Sequence, residues 1–221
     1  MKNNHILNIG YPKCGTTWCW ELLTQQPWFA IPREKENFDL INGVTISEYT
    51  NFYQSYDITA NFCTSNFALD RYIIKQLSEL PTVNVSIILR NPFDLQWSMY
   101  NYLPNHGNMD YNSSFVNIIN QSWFTKTSHI IKRWQKYFGT TRFHIFFYDE
   151  LKENNNLFFN KYCRRLNLPN PTIQDSSPVN VSRYVYNENS LDPGVVSMIN
   201  QEIEKLQDCV EYNVLKWKKQ I

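Results

Sequence analysis

The sequence predicts an α/β domain of three layers, a central parallel sheet flanked by helices. Short apolar runs alternate with stretches of helical periodicity. One run, VNVSIIL at 83–89, is β-branched and nearly continuous, as expected of a strand buried on both faces. A glycine-framed loop joins the first run directly to the first helical stretch. In order, residues 5–9 (HILNI) read as a short buried strand, 10–15 as a loop, and 16–25 as a helix starting at a Thr cap. Residues 66–79 have helical spacing, and the strand at 83–89 ends at Arg90. Asn91-Pro92 then opens another helix, with Asn as cap, Pro at the first position and Asp94 near the positive end of the dipole. Residues 114–138 read as largely helical, with Ile130, Ile131, Trp134, Tyr137 and Phe138 on one stripe. Residues 142–148 (RFHIFFY) form a third strand, and 153–166 and 194–208 further helices, the first entered through the Asn154–Asn156 turn. Ligand-binding residues should gather at the C-terminal ends of the strands.

At about 150 residues per domain, the chain forms one domain, 1–221, large enough for a substantial core. Lys plus Arg number 21 and Asp plus Glu 20, a net charge of +1, which excludes a general polyanion binder and so a nucleic-acid partner. A hydrophobic share of 43% excludes wholesale disorder. No apolar run approaches the ~20 residues of a membrane span, and MKNNHILNIGYPK is too interrupted for a signal peptide. The five cysteines (Cys14, Cys19, Cys63, Cys163, Cys209) form no CxxC pair, which fits reduced thiols in a cytoplasmic protein. No cluster has metal-ligand spacing, so no metal is expected.

The loop Gly10-Tyr-Pro-Lys-Cys-Gly15-Thr16-Thr17 has the GxxxxG frame of a P-loop in its proper strand–loop–helix context, which makes the domain P-loop-like. Backbone N–H groups of the loop and helix start would surround an anion. Thr16 occupies the position that carries Lys in nucleoside triphosphatases, and the lysine lies inside the loop at Lys13. That departure argues against a triphosphate and for a group attached to a single 5′-phosphate.

YPKCGTTW resembles the 5′-phosphosulfate loop of PAPS-dependent sulfotransferases, usually YPKSGTTW, with Cys14 in place of Ser. PAPS is 3′-phosphoadenosine 5′-phosphosulfate. The second motif of that family, RNPxDxxxSxY, is matched in full by Arg90 through Tyr100, and FFYDELKEN at 146–154 is similar to its YEDLKE segment. The resemblance implies that Lys13, Cys14, Gly15, Thr16 and Thr17 surround the 5′-phosphosulfate, that Arg90 and Ser98 hold the 3′-phosphate, and that Trp18 and Tyr148 contact the adenine. It implies sulfuryl transfer without a metal, with 3′,5′-bisphosphoadenosine (PAP) as product. Lys13 is then the cation that stabilises charge on the bridging oxygen as the S–O bond breaks.

The acceptor needs a general base. Relatives acting on small molecules use a His ahead of the RNP strand, and none of His5, His106, His129 and His144 falls between the loop and Arg90. Arg33-Glu34-Lys35-Glu36-Asn37-Phe38-Asp39 is similar to the KEVHFFD segment of the heparan sulfate and related carbohydrate branch, which places Glu34 as the base. Glu36 takes the role if the register slips by two. DITANF at 57–62 is weakly similar to the branch's EKTPxYF element, with Ile58 where a second lysine would stand. No C-terminal basic loop is found, and Arg183 is the one substitute. No dimerisation segment is found either, which favours a monomer. The acceptor is expected to be a small molecule or carbohydrate with a hydroxyl or amine, and the aromatics at 49–62 (Tyr49, Phe52, Tyr53, Tyr56, Phe62) mark a platform for it. A P-loop kinase using ATP and a non-catalytic PAPS- or PAP-binding module are the alternative readings.

Overall fold

A computed structural model describes residues 3–106, 126–172 and 193–220, with side chains outside 100–106. Four strands, β1 (Asn4–Asn8), β2 (Ile58–Phe62), β3 (Val83–Leu89) and β4 (Phe143–Phe147), form one sheet in the order β2-β1-β3-β4. Every pairing is parallel, with His5 opposite Thr59 and Val83, and Ile87 opposite Ile145. Parallel neighbours need crossovers, and helices supply them. The α/β expectation therefore holds, and the continuous apolar character of β3 has its cause in burial, with Val85, Ile87 and Ile88 fully enclosed.

Three strands fall where the apolar runs place them; β2 is additional. ITANF carries two polar residues, which depresses its strand character, yet all five residues are buried. Partners offset the cost. Thr59 Oγ1 lies 2.8 Å from His5 Nδ1, and Asn61 Oδ1 accepts from Asn66 Nδ2 at 3.2 Å. β2 is an edge strand, and the chain before it runs along its outer side. Ala30 N donates to Ile58 O at 3.0 Å and Glu36 N to Phe62 O at 2.8 Å.

The described residues fall into two compact units, one within Met1–Leu89 and Arg133–Val179, the other within Arg90–Lys132 and Asn180–Ile221. The first holds the sheet, α1 (Thr16–Thr24), α2 (Ile46–Asn51) and α3 (Arg71–Ser78). Asp70 caps α3 by accepting from Ile73 N at 2.9 Å, so the helix starts at 71; residues 66–68 form a separate 3-10 turn.

α4 (Pro92–His106) and most of the first turns of α5 (Thr127–Arg142) belong to the second unit. Gly139, at φ 63° and ψ −172°, breaks the end of α5. Trp134 and Phe138 stack in the core with ring centroids 5.8 Å apart. Residues 114–125 of the expected long helix lie outside the described residues. A short helix, α6 (Tyr148–Glu153), precedes the helix expected at 153–166, which is α7 (Asn155–Arg165); Asn154 between them is extended and caps α7 by accepting from Leu157 N at 3.0 Å.

In the second unit Asn91 Oδ1 accepts from Phe93 N at 3.0 Å, the cap expected for α4. Glu202 of α8 (Pro193–Gln207) accepts from Ser128 N at 2.7 Å, and Asn200 exchanges two bonds with the Lys219 backbone. Among the described residues, no helix is long and apolar enough to cross a membrane, and no group of His, Cys, Asp and Glu could hold a metal ion.

Candidate active site

The loop at 10–15 leaves the C-terminal end of β1, and Asn8 sets its starting angle. Its Oδ1 accepts from Gly10 N at 3.2 Å while its Nδ2 donates to Ser86 Oγ on β3 at 3.0 Å. Ser86 Oγ continues this buried polar chain to the Tyr162 hydroxyl at 3.0 Å. Gly10 has φ 120°, and a Cβ there would sit 3.2 Å from Thr64 O. The loop therefore rests on the segment after β2, where Tyr11 meets the Phe67 ring edge-on at 5.0 Å.

Besides Gly10, two residues toward the end of the loop have positive φ, Lys13 at 62° and Gly15 at 83°, with Cys14 between them at negative φ. Alternating hand along a short run is the backbone form of an anion-binding concavity. Gly15, not Thr16, is the N-cap of α1, and no side chain caps that end. Thr16 is the first helical residue because Gly15 supplies the left-handed turn that a Thr at the cap would not. No acidic residue lies in the first turn, so the positive end of a nine-residue helix faces the loop uncompensated. Cys14 and Thr16 are buried; Lys13 and Thr17 are half-buried.

A Cβ on Gly15 would meet Leu151 Cδ2 at 2.5 Å and the Tyr148 ring at 3.4 Å. Tyr148, expected at the end of the third strand, is the first residue of α6, and it stands directly against the loop. Trp18 is 5% exposed and meets Phe158 and Phe159 edge-on at 6.4 and 6.2 Å. The core accounts for its burial, and a base contact has only that exposed remainder to use.

The two carboxylates of the REKE run differ. Glu34 is exposed. Glu36 is left-handed at φ 59°, tied by its backbone to the C-terminal residue of β2. Its Oε2 accepts from Thr64 N and Thr64 Oγ1, both at 3.0 Å, and Oε1 pairs with Lys35. Since Thr64 also touches Gly10, Glu36 is fixed beside the start of the loop. Thr64, Asn8 and Ser86 are the positioning residues that sequence reasoning missed; lone polar residues within or just after strands carry no spacing signal.

The histidines lie elsewhere. His5 is buried at the opposite end of β1, where burial lowers its pKa to about 3. His144 on β4 is lowered to about 4 by burial and then by the nearby Arg165 charge. His129 is exposed. The expected aromatic platform is corrected too. Tyr49 and Tyr53 are buried around His5, at the N-terminal end of the sheet, and Phe62 is buried against Trp20 at 5.6 Å. Phe52 lies under the Arg33 guanidinium at 4.0 Å.

Arg90 and Ser98 belong to the second unit. Arg90 directly follows β3 and is half-buried; Ser98 is buried on α4. Arg183 lies outside the described residues.

A model of the sulfotransferase domain matches residues 3–206. Among solved structures, a sulfotransferase from Alicyclobacillus acidocaldarius superposes with a TM-score of 0.72 at 16% identity, over 99% of this chain and 100% of that one. A mouse sulfotransferase complexed with PAP gives 0.60 at 14% identity, over 98% and 87%. The sulfotransferase domain of the Synechococcus PCC 7002 olefin synthase gives 0.51 at 13% identity, over 99% and 93%. At these identities the structures bear on the fold alone. No curated protein matches the sequence.

Proposed function

The chain belongs to the sulfotransferase domain family, and from that premise we propose that it moves a sulfuryl group from PAPS to a hydroxyl or amine of a small molecule or carbohydrate, releasing PAP. The observation that carries the reading is the loop, in which left-handed Lys13 and Gly15 flank Cys14 ahead of an uncompensated helix start. Such a cradle suits one 5′-phosphate with its attached sulfate. The mouse neighbour complexed with PAP supports this nucleotide class.

In the reaction the acceptor oxygen or nitrogen attacks sulfur and the bond between sulfur and the 5′-phosphate oxygen breaks. Charge grows on that oxygen, where Lys13 stabilises it, and Thr16 and Thr17 hold the phosphate. The acceptor proton passes to a carboxylate. Glu34 is the motif's choice; the anchoring of Glu36 beside Gly10 favours Glu36. Arg90 and Ser98 grip the 3′-phosphate, Arg90 with two parallel bonds. Tyr148 takes the adenine edge, with Trp18 beside it. The enzyme acts as a cytoplasmic monomer, 1–221 serving as one functional domain, with no metal.

Labelled PAPS incubated with an acceptor panel tests the reading. Transfer supports it, while binding without transfer to any acceptor identifies a binding module. A larger rise in Tm from Mg-ATP than from PAP would overturn the nucleotide assignment in favour of a kinase. Arg90→Ala should weaken PAP by about 2–3 kcal/mol, read by calorimetry, with turnover at saturating PAPS little changed.

A further inference from the structure

At the end of the sheet opposite the loop lies a cavity of about 480 Å³, within the size range of small-molecule sites. Its walls are the N-terminal ends of β1 and β3, the start of β2, and helix α2 with the turn that follows it. Five residues separate His5, in its wall, from Gly10, which at the rise of a strand is about 16 Å. The cavity is therefore separate from the phosphate cradle and stands independently of the sulfuryl-transfer reading.

We propose that this cavity binds an uncharged, planar aromatic molecule bearing hydrogen-bonding groups. Three tyrosines line it. Tyr49 and Tyr53 pack on His5, with centroid distances of 5.5 and 4.1 Å, and are buried. Tyr56 is 43% exposed, leaving ring surface for a ligand. Flat rings offset or edge-on to one another favour a flat ligand over an aliphatic one.

The walls also decide charge. Among the described residues lining it there is no Asp, Glu, Lys or Arg. His5 is held by Thr59 Oγ1 and the Tyr49 hydroxyl, each at 2.8 Å, and its burial keeps the ring neutral. An anion or cation entering would lose its hydration with no opposite charge among the lining residues to replace it; Arg33 and Asp39, which act on Tyr53 from behind the wall, are of opposite sign and offset each other. Polar edges on the ligand are accommodated, because threonine hydroxyls and the Gln54 amide stand among the rings.

The test uses 2-naphthamide, which is planar, uncharged and has no hydroxyl to be sulfated, with 2-naphthoate as its charged counterpart. Calorimetry on the full chain should show saturable binding of the amide, unchanged in the presence of saturating PAP. The carboxylate should bind at least about tenfold more weakly. Gln54 and Tyr56 are both exposed, so Gln54→Trp, which obstructs the cavity, and Tyr56→Ala, which removes a wall, should fold. Each should weaken the amide about tenfold while leaving Tm and PAP affinity at the wild-type level. No binding up to the solubility limit, displacement by PAP, equal binding of the carboxylate, or unaltered binding by both variants would each overturn the proposal. Failure of PAP to bind, with naphthamide binding intact, would instead count against the sulfuryl-transfer reading alone.

Discussion

The two ends of β1 solve opposite problems. At the C-terminal end the chain presents backbone: glycines, a left-handed lysine, and a helix start with no acidic residue beside it. At the N-terminal end it presents side chains, with two buried tyrosines around a neutral histidine. The first arrangement suits charge and the second excludes it. A backbone cradle needs particular residues at particular positions, since only some tolerate positive φ or the absence of a Cβ. An aromatic cluster needs only volume and a few partners, and many sequences satisfy it.

The largest effect separating the two ends should come from Lys13→Ala. Loss of the cation at the leaving oxygen should lower kcat by about 10²–10³, with PAP affinity changed only a few-fold; single-turnover assays with labelled PAPS check both. Next, Glu36→Gln and Glu34→Gln should behave unequally. Removing the base should cost about 10²-fold in kcat for Glu36, against less than about twofold for Glu34. The reverse ranking would restore Glu34 as the base and detach the role of Thr64.

The buried histidines, His5 at the aromatic end and His144 on β4 in register with Ser86 and Asn8, affect stability. His5 and His144 have folded pKa values of about 3 and about 4, below the ordinary 6.5. Each is neutral in the native state, so the unfolded chain takes up protons first as pH falls through 6.5. Their contribution is fully present above that pH and is lost as pH drops toward the folded values, with a slope of up to about 1.4 kcal/mol per pH unit for each group. Denaturation midpoints between pH 7 and pH 4 should show it, and His5→Gln should flatten the slope without moving PAP affinity at pH 7.

Smallest is Thr45→Ala. Thr45 and Glu48 form a capping box on α2, the helix that carries Tyr49, and its loss should cost about 1 kcal/mol in a urea titration. If it also altered PAP binding, the two ends would not be independent.

The same contrast explains what could be read in advance. β3 was legible because it is buried on both faces and so cannot alternate. The loop was legible because Gly10 and Gly15 must be glycines, one against Thr64 and the other against Leu151 and Tyr148. β2 was hidden because Thr59 and Asn61 are buried polar residues whose partners, His5 and Asn66, come from distant or irregular segments. The helix start at 71 rather than 66 turned on one capping bond from Asp70. Tyr49, Tyr53 and Tyr56 stand at the N-terminal end of the sheet and Phe62 at the other, because nearness in sequence to residues 33–39 says nothing of which strand end a helix meets. What sets Glu36 apart from Glu34 is its left-handed backbone and its bonds to Thr64, neither of which composition marks.

The chain beside β2 is held at Ala30 and again at Glu36, seven residues inclusive against the five of the strand. Between those two anchors its length cannot be adjusted freely. An inserted or deleted residue there would either break an anchor or carry the Glu36 carboxylate away from Thr64, whereas the exposed turn at Asn42–Gly43, beyond the second anchor, can absorb such a change. The stretch thus works as a ruler. Insertions scanned through residues 30–44 should abolish transfer on one side of Glu36 and be tolerated near the turn.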